Sequence, residues 1–169
     1  VMLEVFNNLF MNIAEQMGLR LQNTAYSVNI KERLDFSCAL FSAAGELIAN
    51  APHMPVHLGS MGASVAAVLE SHGADLRPGD AFLLNSPYHG GTHLPDITVC
   101  TPVFDDKKKA ILFWVASRGH HADVGGMVPG SEAAVCKTIF QEGLRIPPVR
   151  IMRAGEVNRD LMEMILLNS

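Results

Sequence analysis

Residues 97–104 and 110–117 are two runs of β-forming side chains separated by the charged turn DDKKK at 105–109. Runs of this length and spacing pair as an antiparallel hairpin. A hairpin sets the start of its first strand beside the end of its second. Two polar segments distant in sequence, NSPYHGGTHLPD at 85–96 and SRGHHADVGG at 117–126, are thereby brought to one place. His93 and Asp96 arrive from one side, and Arg118, His120, His121 and Asp123 from the other. The three lysines of the turn follow two aspartates and read as a solvated loop, not a binding patch.

The residue types at that junction are those that ligate divalent metals. His93 and Asp96 stand three apart with Pro95 between them, a spacing that suits two ligands on an irregular loop better than two residues of a strand. Imidazole and carboxylate together fit zinc, manganese or iron. Neighbours in an extended chain point to opposite sides, so one of His120 and His121 faces His93. His120 is the preferred ligand, because Asp123 then serves as a further ligand or orients the ring from behind. The expected metal set is His93, Asp96, His120 and Asp123. The competing reading is a metal-free acid–base site or hydrogen-bonded structural histidines. Four of the seven histidines, at 89, 93, 120 and 121, fall at the two ends of this one hairpin, which favours the metal. Gly90-Gly91 and Gly125-Gly126 are either tight turns with positive φ or amide donors to an anion. No GxxxxGK[ST] loop or GxGxxG fingerprint supports nucleotide binding here, and no GxSxG elbow supports a serine hydrolase.

Around the hairpin, residues 2–22 carry apolar side chains at steps of three and four and read as an amphipathic helix. Residues 37–41 and 46–49 flank a small-residue turn and form a second hairpin. The segment 50–57 holds two prolines, which argue for a loop bearing His53 and His57. A second helix is expected over 58–71, ending at Gly73 in a left-handed conformation, and RPGD at 77–80 turns into a short strand at 81–84. The stretch 125–148 reads as irregular, with one helical turn near Ala133. A last helix begins with Asn158 as its cap. This order predicts an α+β fold, an antiparallel or mixed sheet with two hairpins and helices packed on it. With 169 residues, 49% of them hydrophobic, the chain is expected to be one domain over 1–169. The last helix breaks off while still apolar, which suggests truncation of a longer protein. A net charge of -4 gives no reason to expect nucleic acid or an anionic membrane as partner. No run approaches the roughly 20 apolar residues of a spanning helix, and no secretory leader opens the sequence, so a cytoplasmic location is expected. Cys38, Cys100 and Cys136 are odd in number and set in apolar surroundings, which suits reduced thiols.

The motifs NTAYS at 23–27, NIKER at 29–33, DFSC at 35–38 and PVHLGSM at 55–61, with the two polar segments, occur in an order that resembles the hydantoinase B / 5-oxoprolinase family. That family includes N-methylhydantoinase B subunits, the B half of ATP-dependent 5-oxoprolinase and the alpha subunit of acetone carboxylase. The resemblance implies that this stretch is the N-terminal portion of a longer protein, in a hetero-oligomer with an A-type subunit or domain that binds ATP in an actin-like fold. It implies a B-type subunit that opens a hydantoin or 5-oxoproline-type ring with metal-assisted water once the A subunit has phosphorylated it, and that is inactive alone. In the carboxylase branch a metal is held by His and Asp, and His93, Asp96 and His120 match by motif position. Ketone carboxylation and a non-catalytic assembly scaffold are the alternatives. His57, Arg118 and His121 are the catalytic candidates. Arg118 either holds a substrate carboxylate or phosphate, or pairs with Asp96 or Asp123. His57, with His53, is placed for substrate contact or proton transfer. Ser86 stands where many relatives carry Asp, so no role of that carboxylate carries over.

Overall fold

The computed structural model describes residues 2–51, 54–107, 109–130 and 134–169. Helix α1 spans Met2–Thr24 and a single turn, α2, Val28–Lys31; strands β1 (Phe36–Ser42) and β2 (Leu47–Asn50) form the first hairpin. Helix α3 (Pro55–His72) leads to β3 (Ala81–Leu84), and the second hairpin is β4 (Asp96–Phe104) with β5 (Ile111–His120). Strands β6 (Val149–Arg153) and β7 (Glu156–Val157) precede α4, Arg159–Leu167. The described strands make one sheet in the order β2-β1-β5-β4-β3-β6-β7, and every neighbouring pair is antiparallel. This is the expected α+β arrangement.

Strands β4 and β5 lie at the centre of the sheet, in one register from Asp96↔His120 to Val103↔Phe113, with a bulge before Phe104↔Ile111. Asp105 closes their turn: its Oδ1 accepts from the Lys109 and Ala110 amides at 2.7 and 3.2 Å. Alternation sorts the side chains onto two faces. On one face Ala39, Phe41, Phe82, Leu84, Cys100, Trp114 and Ala116 bury against Met61, Val65 and Val68 of α3. On the other, α1 covers Leu40, Phe113 and Val115, while α4 packs near Ala81, Ile146 and Ile151. Asn158 caps α4 by accepting from the Leu161 amide.

Several sequence expectations need correction. Asp96 is a strand residue, not a loop residue. The ladder extends past Ile97 because the His121 amide donates to the Pro95 carbonyl at 2.9 Å, a contact that does not need the N–H proline lacks. Helix α3 begins at Pro55, where a missing N–H costs nothing and the fixed φ suits the first turn. His57 therefore sits on a helix. Gly73 has a φ of -52° and continues into a 3-10 turn over Gly73–Asp75, so it is not left-handed. Within 125–148 the described residues include a 3-10 turn, Ile139–Gln141, held by a capping box between Thr138 and Gln141. The helical turn expected at Ala133, like His53, lies outside the described residues. No described helix is long and apolar enough to cross a membrane.

Burial pushes the thiols of Cys38 and Cys100 up to about 12, whereas Cys136 is only half-buried. A thiol reagent at pH 8 is therefore expected to label Cys136 alone in the folded chain and all three cysteines after denaturation, a result that peptide mapping reads directly.

Candidate metal centre

Along the α3-covered face the core turns polar at one end. Asp96, the first residue of β4, is 2% exposed and receives side chains from three directions. His120 Nδ1, from the residue paired with it on β5, lies 2.9 Å from Oδ1. His93 Nδ1, from the preceding loop, lies 3.1 Å from Oδ2. His57 Nε2, from the first turn of α3, lies 3.3 Å from Oδ2, and Thr92 donates to the same oxygen at 3.1 Å. Asp35 Oδ2 stands 3.9 Å from the same His120 nitrogen. The preceding Leu34 adopts φ +57°, a left-handed conformation uncommon for a branched side chain, in the turn that delivers Asp35.

Burial disfavours the charged form of Asp96. Hydrogen bonds from His57, His93 and His120, with the charge of His93, outweigh burial and hold the carboxyl well below the usual carboxylate range. The bond to Asp96 in turn raises His93. His57 is fixed at its other end, where Nδ1 lies 3.0 Å from Ser37 Oγ and the same hydroxyl donates to the Met54 carbonyl. The two contacts hold the ring between Ser37 and Asp96, with Nε2 turned to the carboxylate.

The donor set fits a divalent ion. Among the described residues, ligand atoms of His93, Asp96 and His120 all lie within 4.8 Å of one another, and two imidazoles with one carboxylate suit zinc, manganese or iron. The His93 side chain is 41% exposed, so the group opens to solvent at that edge. A cleft of about 350 Å³ adjoins it, lined by Asn29, Arg33, Asp35, His120, Ala122 and Gly130.

Other sequence candidates lie elsewhere. His121 points to the opposite face of the sheet, where it lines a separate cavity of about 520 Å³ with Ile97, Val99 and Asp123. Burial, then the neighbouring His120, lowers its pKa. Asp123 is exposed and accepts from the Gly125 amide within its own turn. Arg118 is fully buried and bonds to the hydroxyls of Thr98, Ser60 and Ser64, and no ion pair joins it to Asp96 or Asp123. His89 is exposed, bonded to Ser86. The loop bearing His93 is compact because of Gly90 and Gly91. Gly90 has φ +87°, and a Cβ there would lie 2.6 Å from the Ala63 carbonyl oxygen of α3. A Cβ on Gly91 would lie 2.1 Å from the Asn85 carbonyl oxygen. Ser37, Asp35, Ser60, Ser64 and Thr98 were not singled out from the sequence. The helical spacing of His57, Ser60 and Ser64 was the available signal.

Comparison with known proteins gives the family and the fold. The sequence model of Hydantoinase B/oxoprolinase matches residues 1–169. The chain belongs to this family. It is 56% identical over 155 residues to 5-oxoprolinase 1 of Arabidopsis thaliana, covering 92% of this chain and 12% of the plant protein. The fold matches the crystal structure of ATP-dependent caprolactamase from Pseudomonas jessenii with a TM-score of 0.79 at 28% identity, over 98% of this chain and 29% of that one. Acetone carboxylase in its nucleotide-free structure gives a TM-score of 0.86 at 20% identity, over 96% of this chain and 22% of that one. That last likeness is one of fold. In the hydantoinase B/oxoprolinase family, then, this chain spans a small part of the length of the relatives it matches.

Proposed function

We propose that this chain forms the metal-bearing part of an ATP-dependent enzyme that opens a small cyclic amide of the hydantoin or 5-oxoproline type. The observation that carries the reading is the convergence of three imidazoles on one buried carboxylate, in a family whose relatives include a 5-oxoprolinase and a caprolactamase. In this reading His93, Asp96 and His120 hold the ion, with Thr92 and Asp35 behind them. When bound, such an ion supplies Lewis acidity toward an oxygen of substrate or water. Asp96, held well below the usual carboxylate range, brings a negative charge to the site. His57, oriented by Ser37, holds or moves a proton at Nε2. The cleft beside His120, lined also by Arg33 and Asp35, has room for a small ring. The ATP-using step belongs to an A-type subunit or domain of the assembly.

The test uses the complete protein with its ATP-using partner. One divalent ion per chain by elemental analysis is expected, together with ring-opened product formed only with ATP; chelation abolishes turnover and one metal restores it. Product formation that requires bicarbonate would replace ring opening with carboxylation.

A further inference from the structure

We propose that Arg118 is the positioning residue of this centre, its buried guanidinium tying together the four backbone segments that deliver His57, His93, Asp96 and His120. The proposal rests on the reading of these four residues as the working site. Arg118 has no exposed surface, so it contacts neither solvent nor a ligand in the cleft. Its Nε donates to Thr98 Oγ1 at 2.8 Å, its Nη2 to Ser64 Oγ at 2.9 Å, and its Nη1 to Ser60 Oγ.

The two serines pass the connection on. Ser60 Oγ donates to the His57 carbonyl at 3.0 Å, holding the turn of α3 that carries His57. Ser64 Oγ donates to the Gly90 carbonyl at 2.6 Å, three residues ahead of His93 on its loop. Thr98 lies two residues from Asp96 on the same face of β4, and Arg118 itself two residues from His120 on the same face of β5. One planar cation therefore reaches helix, loop and both strands.

The chemistry of the groups explains why this works. Guanidinium is donor-only, planar and permanently charged, whereas each serine hydroxyl accepts from it and still has a hydrogen to give. His57, Ser60 and Ser64 fall at i, i+3 and i+7, one stripe of α3. Among the described residues no carboxylate pairs with the guanidinium, so its burial carries a desolvation penalty that a methionine of similar length would avoid. What methionine cannot do is donate in three directions within one plane.

Metal affinity, kcat and KM measured in the complete protein test this. Arg118→Met and Arg118→Lys, which loses the fork and keeps the charge, are both expected to weaken metal binding by about 10–100-fold, the range for a group that orients a ligand. The serine variants separate the two arms and serve if Arg118→Met does not fold. Ser64→Ala is expected to lower metal affinity through the His93 loop. Ser60→Ala is expected to leave metal affinity intact and to lower kcat at constant KM, and that loss should vanish in a His57→Ala background. The proposal is overturned if Arg118→Lys behaves as wild type, if both serine variants do, or if Ser60→Ala and His57→Ala are additive. A wild-type protein that binds no metal would sink the metal centre, while the coupling of Ser60 to His57 in turnover would still decide the role of Arg118.

Discussion

Asp96→Asn is expected to reduce ATP-dependent ring opening to background and to weaken divalent-ion binding by more than ~100-fold, beyond the effect of removing a ligand's hydrogen-bond partner. The amide keeps the shape of the side chain, so the fold should survive while the charge is lost. Three imidazoles and the Thr92 hydroxyl now share Asp96. With an amide in its place, one of the two atoms they face turns from acceptor to donor. Elemental analysis and product assay of the intact assembly read both losses. If metal content and turnover persist, the histidine cluster is structural and the segment is a scaffold. The same variant separates stability from catalysis through pH. Because Asp96 is held below its ordinary range in the folded chain, the unfolded chain binds more protons in acid. Its contribution to the metal-free protein is complete above a pH of about 4, the ordinary carboxylate pKa, and is lost as pH falls below that. Urea denaturation of the metal-free variant should therefore show a flatter loss of stability in acid than wild type.

The meeting of His93 and Asp96 with His120 was legible in the sequence because hairpin closure is a local event. A charged turn between two β-forming runs brings their far ends together, and the bulge between Val103 and Phe104, which no local signal marks, sets position 96 opposite position 120. The alternation of an extended chain likewise separates His120 from His121. The contribution of α3 was much less legible. Two prolines near His57 read as breakers, and only the position of Pro55 at the first helical residue turns one of them into a start signal. The partners of Arg118 were hidden for a different reason. Serines at 60 and 64 are unremarkable on any helix until the sheet it crosses is known, and nothing local says that α3 lies over β4 and β5. Asp123 was misplaced because a carboxylate three residues beyond a histidine suits a local Asx turn as well as a ligand, and here the Gly125 amide takes it. Asp35 depends on a left-handed Leu34, which no propensity for leucine foretells. Strands β6 and β7, at the sheet's edge, are short and carry no strong alternation, so tertiary pairing with β3 decides them.

Asn85 carries the second large effect, because it closes the loop that holds His93. Its side chain is fully buried and makes three bonds to backbone: the amide donates to the Leu94 and Leu144 carbonyls at 2.8 Å each, and its oxygen accepts from the Ile146 amide at 2.7 Å. The first bond spans the mouth of the loop, and the other two fasten it to the segment ahead of β6. Asn85→Ala would leave two buried backbone groups and one half-buried one without partners; at about 1–3 kcal/mol for each buried group, a destabilisation of roughly 2–6 kcal/mol is expected in urea denaturation. Asn85→Asp tests the cause as well as the size. An ionised carboxylate would face two carbonyl oxygens with no hydrogen to offer, whereas its protonated form restores one donor. Folding therefore favours the protonated acid and raises its pKa above that of the unfolded chain. The variant should be closest to wild type below the ordinary carboxylate range and lose stability as pH rises through it, opposite in sign to the behaviour at Asp96. Metal affinity should fall with it, since the loop that presents His93 would no longer be closed. A variant that keeps both stability and metal affinity at neutral pH would show that Gly90 and Gly91, packed against α3 and the Asn85 backbone, hold the loop without the side chain.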